Sequence, residues 1–179
     1  ARFYGDAEQE LGTWLRRQPN ADNFWVITKV AHTPHDAPEH VLNQLAKSRE
    51  TLGMDCLGAV LLHRDNPAIP VADWLSVLEE ARARRWVSTF GASNWTVGRL
   101  EAARHLTSGR GMAMVSNHYA LARWHGPLWP GCQSAHPPAF QQWLEQTGTP
   151  LLAWGSQAQG FFALEKPANA LISARWYTA

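Results

Sequence analysis

Apolar positions along this chain switch repeatedly between a helical spacing and short unbroken runs. Leu11, Trp14 and Leu15 share one face of a helix predicted over 8–17, which Pro19 and Asn20 stop. The run over 24–29 reads as a buried strand. Val41, Leu42, Leu45 and Leu52 mark an amphipathic helix over 38–52, with Gly53 in the C-cap position. A strand follows over 57–63. Trp74, Leu75, Leu78 and Ala81 then define a helix over 71–84, with Pro70 near its start. The next strand covers 86–91, a helix covers 95–106 with Asn94 as candidate N-cap, and a short strand covers 113–116. Over 120–138 the pattern lapses into a loop rich in Trp, Pro and His, long enough to be functional or disordered. A helix over 139–146, a strand over 150–154 and a polar loop over 155–160 follow. The stretch 161–179 predicts no strand.

Strict strand–helix alternation requires crossover connections and hence a parallel sheet. A doubly wound sheet and a barrel both satisfy it. No GxGxxG follows a first strand and no P-loop occurs, which favours the barrel. A complete barrel needs about 250 residues, and this chain has 179. The expectation is an α/β fold, a partial (β/α)8 TIM barrel of about five parallel strands, in one domain over 1–179 that is incomplete at both ends. Strand C-termini carry the chemistry in such barrels, so Lys29, His63, Ser93 and Asn94 would meet at one mouth.

Composition narrows the classes further. Hydrophobic residues make up 45% of the chain, enough for one sizeable core, and the net charge is +1. The basic residues are scattered apart from Arg82, Arg84 and Arg85 near a helix end, so nucleic acid is not indicated. Cys56 and Cys132 form no disulfide framework and suit a reducing compartment, so a cytoplasmic location is expected. No apolar run reaches the roughly 20 residues of a membrane span. The start, Ala1-Arg2-Phe3-Tyr4-Gly5, has neither an initiator Met nor a signal-peptide core and reads like the middle of a longer protein. His32, His35 and His40, or Cys132 and His136, lack metal-ligand spacing. No metal is expected, and these histidines are read as solvated loop residues.

Tyr4-Gly5 with Glu8 and Leu11-Gly12, Ile27-Thr28-Lys29, Leu61-Leu62-His63-Arg64-Asp65, Gly91-Ala92-Ser93-Asn94-Trp95, Ser116-Asn117-His118-Tyr119-Ala120-Leu121 and Leu152-Ala153-Trp154-Gly155-Ser156-Gln157-Ala158-Gln159-Gly160 follow one another in order. Together they resemble the successive motifs of the aldo-keto reductases over most of the chain. The resemblance implies a (β/α)8 barrel and NADPH-dependent carbonyl reduction without metal, with NAD as the other possible cofactor. By it Tyr4 is the general acid. A phenol of pKa near 10 needs a nearby cation, the role matched by Lys29. His63 would orient the carbonyl oxygen. Ser93, Asn94 and Ser116 would hold the nicotinamide carboxamide, Trp154 would stack on the ring, and Gly155, Ser156 and Gln157 stand in the segment that contacts phosphate.

Each residue alone has a plainer reading. Tyr4 and Trp154 would be packing residues, Lys29 a solvated lysine, His63 a satisfied core histidine and Asn94 a helix cap. Their recurrence in motif order is what points to a site. The resemblance also has gaps. Ser116 replaces a frequent Gln, Gly155 replaces a frequent Ser, and the Asp that pairs with the Lys would precede residue 1. The last strand, with its basic residues for the 2′-phosphate, has no counterpart after Ala179. The chain is therefore expected to be part of a longer reductase, with open strand edges that favour self-association. Over the mouth, Trp95, Trp124 and Trp129, with His125 and Pro130, would wall a small-molecule carbonyl or sugar substrate, or else pack against further barrel segments. The alternative class is a cofactor-binding or regulatory protein on the same scaffold, without turnover.

Overall fold

A computed structural model describes residues 4–33, 35–162 and 177–178. The elements run α1 Ala7–Leu15, β1 Ile27–Val30, α2 Pro38–Leu52, β2 Leu57–Leu62, α3 Val71–Ala83, β3 Val87–Ser93, α4 Val97–Leu106, β4 Val115–Ser116, β5 Arg123–Trp124, α5 Pro138–Thr147 and β6 Tyr177–Thr178. Strands β1 to β4 form one parallel sheet in sequential order. A doubly wound sheet would reverse its order in the middle, whereas a barrel keeps it. The fold is that of a partial (β/α)8 barrel. The fifth expected strand, 150–154, is present as parallel bridges from Val115 to Leu151 and from His118 to Trp154.

Alternation of side chains across the pleat divides the sheet into two faces. Val30, Val60, Leu62, Phe90, Ala92 and Val115 join one core with Val41, Leu45, Trp74, Leu78 and Leu100 from the helices. Burying each such aliphatic side chain contributes about 1.5–3 kcal/mol. On the opposite, inner face, Ala59, Leu61 and Met114 form a separate small cluster. Gly91 lies between them, where a Cβ would come 2.4 Å from the Met114 carbonyl and 2.6 Å from a Leu61 methyl. Behind the sheet the buried Glu8 carboxylate accepts hydrogen bonds from Thr28 Oγ1 at 2.5 Å and Ser48 Oγ at 3.1 Å. It thereby ties α1 to both β1 and α2, and hydrogen bonding offsets the cost of a buried charge.

Four expectations change. The first strand begins at Ile27 rather than residue 24, because Ala21–Asn23 forms a tight 3₁₀ turn. The third strand continues to Ser93, held there by its pairing with Ser116. Asn94 does not cap α4: its φ is +60°, and Thr96 takes the cap position, its side chain accepting from Arg99 N–H at 3.3 Å. Finally, β6 pairs antiparallel with β5 inside the Trp-rich loop, although 161–179 predicted no strand. A two-residue strand is too short to leave a periodic signal. Residues 163–176 of that stretch lie outside the described residues. Among the described residues, no helix is long and apolar enough to cross a membrane.

Candidate active site

Register determines which side chains meet. Lys29 pairs with Leu61, Leu61 with Gly91, and Ser93 with Ser116. Alternation therefore turns Lys29, Leu61, Gly91 and Ser93 to the inner face, and His63, two residues past Leu61, leaves β2 on the same side. The Lys29 ammonium donates to Ser93 Oγ at 3.4 Å and Ser116 Oγ at 3.3 Å. Ser93 Oγ donates to the Ser116 carbonyl at 2.6 Å and accepts from Asn94 Nδ2 at 3.2 Å. The Asn94 amide also donates to the His63 carbonyl at 3.1 Å, and its oxygen accepts from Gln133 N–H at 3.3 Å. Ser93, Asn94 and Ser116 are buried. These bonds knit β1, β3 and β4 into a polar floor.

The floor's charge is unbalanced. Burial, and then the nearby Arg64 cation, lower the Lys29 pKa to about 8. Burial lowers His63 further, to about 3, with Lys29, His32 and Arg64 adding to the effect. His63 is thus neutral across physiological pH. Its Nδ1 lies 3.3 Å from His32 Nδ1, with the rings perpendicular at 86°. One of these nitrogens donates to the other, so His32 influences the tautomer of His63. His32 is thus a partner of His63, not the solvated loop residue its sequence context suggests. Only the pairing of Val30 with Leu62 places the two chain exits side by side. Tyr4 is 56% exposed, just before α1, with its ring centroid 5.8 Å from that of His63.

Above the floor stands an aromatic wall. Trp154 stacks with Trp129 at 5.4 Å and 16°, and meets His118 edge-on at 5.1 Å. Trp124 stacks on His118 at 4.1 Å. Burial, and then His136, lower the His118 pKa to about 4. His118 enters the wall from the Ser116–Leu121 motif, two residues past the floor. The Arg64 guanidinium lies 4.9 Å over Trp129. Trp95 is not part of this wall: its ring is fully buried, with Arg99 4.9 Å over it, because β3 carries it down into the helical core. His125 and Pro130 are exposed beside the wall. Gly155 opens a turn with φ +70°, and Ser156 and Gln157 are exposed on it. Cys132 is buried near Arg64, its thiol pushed up to about 11 by burial. His136 Nε2 contacts the Ala120 carbonyl.

Among known proteins, an aldo-keto reductase of Strobilurus tenacellus is 31% identical over 106 residues, covering 58% of this chain and 32% of the relative. An aldo-keto reductase of Fusarium vanettenii is 24% identical over 156 residues, covering 86% of this chain and 37% of the relative. The chain thus spans about a third of these curated relatives. A solved aldo-keto reductase from Klebsiella pneumoniae in complex with NADPH superposes with a TM-score of 0.70 at 22% identity, over 89% of this chain and 52% of that one. A Klebsiella pneumoniae structure in complex with NADP and acetate gives 0.71 at 21% identity, over 92% and 54%. These structures share the fold. The aldo/keto reductase family model matches residues 1–172, almost the whole sequence, and the chain belongs to that family.

Proposed function

We propose that the protein is an NADPH-dependent oxidoreductase that reduces an aldehyde or ketone, or oxidises the corresponding alcohol or sugar, with Tyr4 as general acid. The observation that carries this reading is Lys29, held between Ser93 and Ser116 on the face that His63 shares, with the Tyr4 ring beside His63. The described residues fit the nicotinamide end of the cofactor. Ser93, Asn94 and Ser116 offer buried hydroxyl and amide groups, and Trp154 offers a flat indole, one face of which lies against Trp129. When bound, the reduced nicotinamide supplies hydride to the carbonyl carbon.

The chain's own residues supply the proton and the orientation. Tyr4 donates its phenolic proton to the carbonyl oxygen, and the Lys29 cation stabilises the phenolate left behind. Neutral His63 donates from one ring nitrogen to the same oxygen. In that role its Nδ1 accepts from His32 Nδ1–H, which leaves the hydrogen on Nε2. Asn94 and Ser93 hold the carboxamide and fix which face of the ring is presented. Held neutral by burial, His63 gives that oxygen a hydrogen bond without competing with Tyr4 as the proton source.

The test is a titration of the purified protein with NADPH, following tryptophan quenching, with circular dichroism on the same sample and turnover of a simple aldehyde in wild type and Tyr4→Phe. Saturable binding with turnover lost in the variant is the expected result. Binding without turnover would instead identify a cofactor-binding protein on this scaffold.

A further inference from the structure

The end of β1 departs from the alternation that orders the rest of the sheet. Successive side chains along a strand point to opposite faces, so Lys29 on the inner face and Val30 in the helical core should be followed by Ala31 inward and His32 outward. His32 instead lies against His63 at the mouth, Nδ1 to Nδ1 at 3.3 Å. The reversal is made at Ala31. Its φ is +55°, in the left-handed region that L residues adopt at a cost, and this kink returns the next side chain to the inner side. An alanine does not hold that conformation unaided. Ala31 is buried, and its N–H donates to Gln44 Oε1 of α2 at 2.8 Å, which supplies the partner a buried N–H requires. Its carbonyl accepts from Arg64 N–H at 3.0 Å and fastens the same residue to the exit of β2. Gln44 is aimed in turn from its other end. Its amide donates to Asp36 Oδ1 at 3.0 Å, and Asp36 Oδ2 accepts from Thr33 N–H at 2.9 Å. The residues on both sides of His32, Ala31 and Thr33, are therefore tied to one helix side chain, directly or through Asp36.

We infer that Gln44 is a positioning residue for the site: by holding Ala31 left-handed it aims His32 Nδ1 at His63 Nδ1, and so keeps the hydrogen of His63 on Nε2. The inference rests on the reductase reading for the carbonyl oxygen that this hydrogen serves. The tautomer itself does not depend on it. Neutral imidazole has two forms that differ in which nitrogen carries the hydrogen, and the hydrogen bond made by one nitrogen selects the form. With Ala31 relaxed to an extended conformation, alternation would turn His32 away and His63 would divide between the two forms. Gln44 acts through the backbone, from the helical layer outside the mouth.

The experiment reads the His63 ring by proton–nitrogen correlation spectroscopy of the histidine side chains in the protein without cofactor, with His63→Gln assigning the signal. Gln44→Met keeps the side chain's length and removes the acceptor. Gln44→Glu keeps an acceptor for the Ala31 N–H but sets a second carboxylate against Asp36. Wild type and Gln44→Glu are expected to show His63 with its hydrogen on Nε2, and Gln44→Met a mixture of the two tautomers. In steady-state reduction of a simple aldehyde, kcat should fall roughly 2–10-fold in Gln44→Met, the range for one net hydrogen bond, with the KM for NADPH unchanged. It should be preserved in Gln44→Glu, although the urea midpoint of that variant falls. Under a merely structural role, activity would follow the urea midpoint instead of the tautomer, and that outcome overturns the inference. A wild-type His63 with its hydrogen on Nδ1, or a tautomer that Gln44→Met leaves unchanged, overturns it too and leaves the reductase reading standing. A tautomer that shifts in Gln44→Met, with no aldehyde reduced even by wild type, supports the positioning role and removes the reductase reading. Should Gln44→Met fail to fold, Gln44→Asn, one methylene too short to reach Ala31, decides by the same readings.

Discussion

The polar floor and the aromatic wall line one mouth but are held in different ways. The floor hangs from backbone register: Ser93 and Ser116 are paired partners, and Lys29 reaches them from two and three strands away. Every hydroxyl in it is already hydrogen-bonded, so its geometry is set before any ligand arrives. The wall is assembled from loops by stacking, Trp129 on Trp154 and Trp124 on His118, with the Arg64 guanidinium packed on Trp129. Stacking is worth about 0.5–1.5 kcal/mol per pair beyond area burial and tolerates sliding. The contrast teaches a division of labour. Under the proposed reductase function, the floor would define where reaction occurs and the wall what is admitted.

Changes to the floor should therefore cost most. Under the proposed function Tyr4→Phe removes the general acid, and kcat should fall by about 10²–10⁴-fold in steady-state assays, with KM little changed. Acid should next separate the regions, because each holds one buried histidine. Both folded pKa values lie below the ordinary 6.5, at about 4 for His118 and about 3 for His63. The unfolded chain therefore binds more protons, and stability is complete above pH 6.5 and declines as pH falls through that value towards 4 and below. Urea midpoints between pH 7 and 4.5 should fall, and replacing His63 by Gln should flatten the decline. A midpoint indifferent to pH would show that neither ring is desolvated.

Gly91→Ala tests the floor's rigidity without touching its polar atoms. The new methyl meets the Met114 carbonyl, so urea denaturation should show a loss of about 1–3 kcal/mol. The Lys29 cation is lost as pH rises through about 8, so kcat/KM for reduction should decline above that pH, approaching tenfold per unit. Lys29→Arg should carry the decline upward. The smallest effect belongs to the wall. Trp129→Ala should raise substrate KM a few-fold with kcat preserved, and an unchanged KM for every substrate would deny the wall any part in admission.

Legibility in the sequence follows the same division. Alternating periods located the helices and strands, and the sequential sheet agrees with the barrel preferred over a doubly wound sheet. Lys29, His63, Ser93 and Asn94 were readable because each ends an apolar run and strand ends share a rim, whereas Ser116 was reached only through the family resemblance. His32 escaped because its partnership depends on the register of two strands, which no local pattern encodes. Trp95 misled for the opposite reason. It sits beside Asn94 in a motif, yet one residue along the chain reverses its direction and sends it into the core. The stacking order of the wall, and the β5–β6 pairing, depend on loop conformations for which Trp, Pro and His content carries no code.

Glu8 gives the mouth a dependence on the far side of the sheet. Its carboxylate anchors α1 through Thr28 and Ser48, and Tyr4 precedes that helix by three residues. The effective concentration of the phenol near His63 therefore depends on a hydrogen-bonded pin behind the sheet. With the pin in place the phenol is confined to a small volume, and without it the same group would sample a much larger one at a correspondingly lower local molarity.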